Sequence, residues 1–285
     1  MAASVAHQSW TTAVGWTWRP TTTNTRPSPL CLPLPIFSDS VNKRKNRALR
    51  VSCDYSCFQI KDVSYRPPGT KTNLLDGVSF SLREKSFGLI FGRSGSGKTT
   101  LLQLIAGFNK PMSGSIHVQR YGDDGCPNWS PELLDEKRVG IVFQFPERYF
   151  VAENILDEVI FGWPRQRGGN HLKQLLALRL QKAITSVGLT GISLDQDPQS
   201  LSGGYKRRLA LAIQLVQAPD LLLLDEPLAG LDWKARADVV KLLRDLKKEL
   251  TLLVVSHDLK ELAPLVDESW RMEMGGILKG EPLPV

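Results

Sequence analysis

The chain has few cysteines and no long apolar run, and each absence excludes a class of protein. Only four cysteines occur in 285 residues. Cys31 lies in the N-terminal segment, and Cys53, Cys57 and Cys126 lack the paired spacing and nearby histidine of a zinc site, so we expect no cysteine-held metal. No stretch approaches the roughly 20 consecutive apolar residues that span a bilayer, which predicts that the chain is not itself a permease.

Acidic residues are scarce at the N-terminus, where Asp39 is the only acid among the first 50 residues. Ser and Thr are frequent there, a secretory apolar core is missing, and five prolines oppose long regular structure: Pro20, Pro27, Pro29, Pro33 and Pro35. This composition predicts an organellar transit peptide over residues 1–52, cleaved after the basic cluster at residues 43–47. Chloroplast is the preferred organelle because Ser, Thr and Pro outweigh the arginines, and mitochondrion is second. A disordered basic tail or nucleic-acid arm is the alternative.

The positive charge is concentrated in the same segment. Residues 1–52 hold seven basic residues and one acid, which accounts for six of the net +7, so residues 53–285 are almost neutral. Phosphate backbones require a basic surface on the folded part of a protein. We therefore expect no nucleic-acid partner.

A phosphate-binding loop is present at residues 92–99 (GRSGSGKT), which fit the pattern G-x-x-x-x-G-K-[ST]. An apolar run at residues 87–91 predicts a buried strand before it, and residues 100–107 predict a helix after it. The glycines let backbone N–H groups surround phosphate, Lys98 reaches the β and γ phosphates, and Thr99 places its hydroxyl on Mg²⁺. The expected nucleotide-binding residues are Gly92, Arg93, Ser94, Gly95, Ser96, Gly97, Lys98, Thr99 and Thr100.

Two further motifs lie downstream, at residues 201–205 (LSGGY) and 221–227 (LLLLDEP). The leucines predict a second buried parallel strand that ends in two acids, at the sheet edge where ligands of open α/β sheets bind. With the phosphate loop, these motifs resemble the ATP-binding cassette (ABC) family. The resemblance implies an α/β fold at residues 53–285: a P-loop NTPase, RecA-like core of the ABC ATPase type. It also implies an antiparallel β subdomain and an α-helical subdomain at about residues 145–201.

The same resemblance assigns catalytic roles. Glu226 polarises the attacking water, His257 hydrogen-bonds the γ-phosphate, and Gln144 contacts Mg²⁺ and relays the nucleotide state to a partner. Mg²⁺ is held by Thr99, Gln144 and, through water, Asp225. A histidine at a strand end is more often structural, but this one follows the acidic pair by one helix and one strand.

Tyr65 and the LSGGY segment have roles that the resemblance implies and plainer alternatives. Tyr65 is expected to stack on adenine, or is a half-buried strand tyrosine. Ser202, Gly203 and Gly204 open a helix predicted at residues 206–217, where an ordinary serine N-cap is the alternative. In the family this signature caps the γ-phosphate bound by the opposite subunit, and two cassettes enclose two ATP molecules head to tail. Residues 229–232 resemble the loop that couples the two sites, and a simple helix entry is the alternative.

Residues 143–150 (FQFPERYF) and 157–162 (DEVIFG) resemble energy-coupling-factor and cobalt-type import ATPases. The chain differs from that group at two positions, where it has Tyr149 and Tyr205 and the group usually has glutamine. With the N-terminal segment, the chain resembles plant chloroplast-targeted, non-intrinsic ABC proteins of the ABC transporter I type.

The resulting hypothesis is an ATPase subunit of an organellar ABC transporter, peripheral to a membrane on the stroma side, with ATP and Mg²⁺ as its cofactors. It predicts a second ABC ATPase subunit, identical or different, and separate transmembrane subunits. A transition-metal ion or vitamin is the expected cargo. The alternative is a soluble ABC ATPase in an organellar assembly process such as iron-sulfur cluster biogenesis.

Overall fold

A computed structural model describes residues 55–122, 126–127, 130–161 and 170–284. The predicted transit peptide lies outside these ranges. Within them, none of the helices combines the length and apolar character needed to cross a bilayer.

The central sheet is built from buried parallel strands. It contains β3 (Phe87–Gly92), β6 (Val139–Val142), β7 (Leu221–Asp225), β8 (Thr251–Val255), β9 (Glu268–Met272) and β10 (Leu278–Gly280), in the order β10-β9-β3-β8-β7-β6. All neighbours pair in parallel except β10, which is antiparallel to β9. β7 and β8 are buried throughout, as expected for parallel strands covered on both faces. The C-terminal ends of β3, β7 and β8 therefore share one edge.

The helices connect these strands, and α1 and α5 begin earlier than the sequence pattern predicts. They are α1 (Lys98–Ile105), α2 (Ile155–Val159), α3 (Asn170–Ser186), α4 (Gly203–Val216), α5 (Trp233–Leu246) and α6 (Leu259–Leu262), with 3-10 turns at Glu136–Arg138, Pro146–Tyr149, Pro198–Ser200 and Ala263–Leu265. The pattern predicts α5 from residue 237. The helix begins at Trp233 because the Asp232 carboxylate accepts a hydrogen bond from the Ala235 N–H, which caps the first turn.

The second sheet is antiparallel. It consists of β1 (Tyr55–Tyr65), β2 (Leu75–Arg83), β4 (Ser113–Tyr121) and β5 (Glu132–Leu133), in the order β2-β1-β4-β5. The sequence predicts an irregular polar loop over residues 120–138, but part of it forms β5. This strand pairs with His117 and Val118 of β4, a long-range contact that local composition does not reveal.

Two apolar clusters lie on opposite faces of the central sheet. One joins that sheet to α3, α4 and α5, and the other joins it to α1 and the inner face of the antiparallel sheet. Alternate residues of each central strand enter different clusters: Leu222 and Leu224 enter the first, and Leu221 and Leu223 enter the second. The strands that carry the predicted site residues are thus fixed from both sides.

Candidate functional site

The phosphate loop lies between β3 and α1, and its geometry depends on glycine. Gly92 has φ 145°, and a Cβ there would clash with the carbonyl oxygen of Met272. Gly97 has φ 101°, in the region that favours glycine, and directly precedes α1. The Lys98 Nζ donates hydrogen bonds to the carbonyl oxygens of Gly92 (2.9 Å) and Arg93 (2.8 Å), so the lysine lies along its own loop.

The loop has the free donors that a phosphate group requires. Ser96 is 1% exposed, and its hydroxyl has no hydrogen-bond partner within the described residues. No side chain caps the N-terminus of α1, so its first N–H groups and its dipole remain available to an anion. These features fit a bound phosphate.

Asp225, at the end of β7, meets the phosphate loop through Thr99. The Thr99 hydroxyl donates to Asp225 Oδ2 at 2.9 Å. Burial raises the pKa of Asp225, although the Thr99 hydrogen bond and Lys98 oppose the shift. Burial also lowers the pKa of Lys98, while Glu226 and Asp225 act in the opposite direction. A carboxylate and a hydroxyl side by side are oxygen ligands of the kind that Mg²⁺ prefers.

Glu226 and His257 form the third part of the site. Glu226 has φ 47°, a left-handed conformation that is rare outside glycine. Its Oε2 accepts hydrogen bonds from the Ser256 hydroxyl (3.1 Å) and the His257 N–H (3.3 Å), and lies 2.9 Å from His257 Nδ1. The hydrogen bond to Glu226 raises the pKa of His257 against an opposing effect of burial. The end of β8 thereby fixes one oxygen of this carboxylate.

The signature residues lie at the start of α4, where Gly204 packs against α5. Ser202 is the N-cap of α4, but its side chain makes no capping hydrogen bond. A Cβ on Gly204 would lie 3.1 Å from the Ala235 Cβ, so glycine permits close approach of α4 to α5. Among the described residues, no hydrogen bond or ion pair joins Ser202, Gly203 or Gly204 to the phosphate loop.

Two aromatic side chains near the starts of α4 and α5 are exposed. The Arg208 guanidinium lies 5.6 Å from the centre of the Tyr205 ring and forms an ion pair with Asp238 at 2.9 Å. Trp233, the first residue of α5, is 82% exposed.

Gln144 and Tyr65 lie at strand ends. Gln144 is half-buried beyond the end of β6. Tyr65 ends β1 and pairs with Leu75, whose side chain would be 2.9 Å from a Cβ on Gly97. The end of β1 therefore lies beside the phosphate loop, as a contact with a nucleotide base would require.

The family model of the ABC transporter matches residues 75–229, more than half of the chain. The chain belongs to the ABC transporter family. It is 70% identical over 243 residues to ABC transporter I family member 11, chloroplastic, of Arabidopsis thaliana, with 85% of this chain and 87% of that protein covered. It is 38% identical over 222 residues to the energy-coupling factor transporter ATP-binding protein EcfA2 of Clostridium acetobutylicum, with 75% and 76% covered.

A solved structure of an ABC transporter component also matches the chain. That of cbiO1 from Clostridium perfringens, part of the ABC transporter complex cbiONQ, matches with a TM-score of 0.65 at 27% identity. The match covers 79% of this chain and 88% of that one. The predicted ABC fold and its likeness to energy-coupling-factor ATPases are confirmed, and the chain is an ATP-hydrolysing enzyme of this family.

Sequence reasoning missed two residues that support the site of this ABC ATPase. Ser256 donates to Glu226, and Arg207 donates to backbone carbonyls of two loops. A signal for Arg207 was available, because it lies three and four residues before the buried Ala210 and Leu211, on the inner side of α4. A cation on that side requires buried acceptors. No comparable signal marks Ser256.

Proposed function

We propose that the chain binds ATP with Mg²⁺ and hydrolyses it as the ATPase subunit of a chloroplast ABC transporter. The observation that carries this proposal is the meeting of three groups at one edge of the central sheet. They are the phosphate loop after β3, the acidic pair Asp225 and Glu226 after β7, and His257 after β8.

ATP binding uses the loop residues together. The N–H groups around Gly95 and Gly97, the Ser96 hydroxyl and the Lys98 ammonium group bind the phosphates, with Gly92, Arg93, Ser94 and Thr100 completing the loop. Thr99, Asp225 and Gln144 hold Mg²⁺, which when bound neutralises charge on the phosphates. Tyr65 stacks on the adenine.

Hydrolysis requires a base beside the γ-phosphate. Glu226 is held through one oxygen by Ser256 and His257, which leaves its other oxygen able to take a proton from water. His257 orients the carboxylate and hydrogen-bonds the γ-phosphate. A general base of this kind contributes a rate factor of roughly 10² to 10⁴.

The substitution Glu226→Gln tests this function. We expect retained ATP affinity, measured by calorimetry, and a kcat about 10² or more lower, measured by phosphate release. Glu249→Gln is the matched control, since Glu249 forms an exposed ion pair with Lys182 and should leave kcat unchanged. Unchanged hydrolysis in Glu226→Gln would remove Glu226 from the role of base.

A second ABC ATPase subunit completes the site. Ser202, Gly203 and Gly204 have free N–H groups and no contact with their own phosphate loop among the described residues, which supports a role toward ATP in the opposite subunit. The same arrangement serves an identical or a different subunit.

An apolar groove supports a separate membrane partner. It has a volume of about 510 Å³ and lies between the loop after β6 and the helices α2 and α4. Exposed apolar side chains on its walls are of the type that forms the centre of protein interfaces: Phe108, Tyr149, Val151 and Phe161. Phe143 connects two of them, with ring centres 6.0 Å from Phe108 and 5.0 Å from Tyr149.

The sequence and one relative support the proposed organelle, and the sequence alone supports the proposed cargo. Residues 1–52 act as a cleaved chloroplast transit peptide, and residues 53–285 form the ATPase domain, with residues 145–201 as its helical subdomain. The chloroplastic Arabidopsis relative supports the organelle, where the ATPase lies on the stroma side. The proposed cargo, a metal ion or vitamin, rests on the resemblance of residues 143–150 and 157–162 to energy-coupling-factor and cobalt-type import ATPases.

Affinity capture tests the transport assignment. The mature Glu226→Gln protein, in its ATP-bound state, is used to capture partners from detergent-solubilised chloroplasts, and the partners are identified by mass spectrometry. A stoichiometric multi-span membrane protein is the expected result. Capture of soluble assembly factors alone would replace this proposal with the assembly ATPase.

A further inference from the structure

We propose that Arg207 is a positioning residue that fixes Gln144 toward Mg²⁺ by joining the loop after β6 to the loop after β7. The inference rests on the proposed function, because it concerns the contact that Gln144 makes there.

The Arg207 guanidinium joins three elements. Arg207 belongs to α4, and its Nη1 donates to the carbonyl oxygens of Phe143 (3.0 Å) and Gln144 (2.7 Å). Its Nη2 donates to the carbonyl oxygen of Ala229 at 3.1 Å. A planar guanidinium presents these donors at fixed angles, so the two loops are held at one spacing.

The two carbonyl groups on the β6 side bracket a single residue. The Phe143 carbonyl precedes the Cα of Gln144, and the Gln144 carbonyl follows it. Fixing both restricts φ and ψ of residue 144, and these two angles set the direction of its Cα–Cβ bond. Arg207 can therefore orient the Gln144 side chain without touching it.

Burial makes this contact costly to replace. Arg207 is 4% exposed, and burial lowers its pKa, although Glu147 acts in the opposite direction. A buried cation is stable only with acceptors, and the three carbonyl oxygens provide them. Removing the guanidinium leaves these carbonyl groups without their donor, and the loops then rearrange.

The loop after β7 is also held from its other side. Arg236 of α5 donates from Nε to the Leu231 carbonyl (3.1 Å) and from Nη1 to Asp258 (2.9 Å). Asp258 directly follows His257 in the chain. The segment from Ala229 to Leu231 is thus anchored, which gives Arg207 a rigid support against which to hold Gln144.

A double-mutant cycle tests the inference. The mature chain, Arg207→Gln, Gln144→Ala and the double variant are compared by calorimetric ATP titration, with Mg²⁺ and with EDTA. We expect each single variant to reduce by about tenfold the gain in ATP affinity that Mg²⁺ provides, since mutating residues that orient a metal ligand costs roughly 10- to 100-fold in metal affinity. The double variant should lose no more than Gln144→Ala alone. In EDTA, Arg207→Gln should bind ATP as the unsubstituted chain does, because the phosphate loop is untouched.

Arg138→Gln is the matched control. Arg138 pairs with Asp220 at the other ends of β6 and β7, and its loss should leave the Mg²⁺ effect unchanged. Arg207→Lys keeps the charge but replaces the planar guanidinium with a single ammonium group, so we expect an intermediate loss. If Arg207→Gln does not fold, the same cycle with Arg207→Lys decides.

The outcomes separate the inference from the proposed function. Failure of the unsubstituted chain to bind ATP in Mg²⁺ would overturn the proposed function. Binding by that chain with additive losses in the double variant, or with an equal loss in EDTA, would overturn only the positioning role of Arg207.

Discussion

Single residues of the site have their ionisation set by their immediate neighbours. Burial lowers the pKa of Lys98 and raises the pKa of Asp225, so it favours the neutral form of both side chains. The charge of each residue opposes the pKa shift of the other. His257 is drawn toward its charged form by Glu226. The site therefore combines a buried acid with a half-buried lysine and an exposed histidine.

Lys98→Ala removes the side chain that contacts the phosphates. We expect ATP affinity to fall by about tenfold or more, because charge-assisted hydrogen bonds are the strong ones in such a site. Calorimetric titration measures this change, and circular dichroism shows that the fold is kept. Normal affinity would count against the phosphate loop as the nucleotide site.

The charge of His257 is expected to depend on Glu226. In the unsubstituted protein without nucleotide, its pKa should lie above the ordinary value for histidine, because the hydrogen bond to Glu226 favours the protonated ring. In Glu226→Gln the pKa should fall toward that value. Titration followed by NMR of the histidine ring protons measures the His257 pKa in both proteins. Equal values would show that the contact between His257 and Glu226 does not persist in solution.

The residues that sequence predicted for this site lie in contiguous motifs. Lys98 and Thr99 lie in a known loop pattern, and Asp225 and Glu226 end a leucine run, so short segments were sufficient to predict them. Arg207 and Ser256 were missed because their roles depend on partners distant in the chain. For Arg207, those partners are Phe143 and Ala229.

At the scale of elements, the turn between β9 and β10 packs closely on β2. The Gly276 carbonyl oxygen accepts a hydrogen bond from the Asp76 N–H at 3.2 Å, and Gly276 has φ 77°. A Cβ at this position would clash with the backbone of Leu74 and Leu75. This turn therefore connects the two sheets near the phosphate loop.

Gly276→Ala is expected to destabilise the fold by about 2 kcal/mol or more, from its left-handed conformation and the clash together. Gly275→Ala is the control, since Gly275 has φ 92° but nothing within 4 Å of an added Cβ. It should cost less, about 1 kcal/mol. Urea unfolding measures both, and equal losses would show that the packing against β2 has no effect.

Secondary-structure boundaries were predicted less well than the elements themselves. The sequence pattern placed α4 correctly, with its start at residues 202–204, but α5 begins earlier than predicted and β5 was missed. Helix starts depend on caps such as Asp232, and β5 depends on pairing with β4, so neither follows from apolar periodicity.

For the whole molecule, the apolar groove predicts that binding of the membrane partner can be lost without loss of ATP binding. Phe108 is 62% exposed on the groove, and Phe108→Asp should abolish capture of the membrane partner while ATP affinity is kept. Leu133→Asp is the control, because Leu133 is 80% exposed on β5 and does not line the groove. Capture by Phe108→Asp at the unsubstituted level would place the partner elsewhere.

The division of each central strand between two apolar clusters has a consequence for unfolding. Leu221 and Leu223 on one face and Leu222 and Leu224 on the other belong to the same five-residue strand. If either cluster unfolded, one face of the central strands would be exposed to water. The other cluster packs on the opposite face of the same strands and would lose its support. The folded body should therefore lose its structure in one cooperative heat-absorption peak, whose calorimetric and van't Hoff enthalpies agree. Thermal unfolding of this sheet is then expected to abolish the nucleotide site and the partner groove in the same transition.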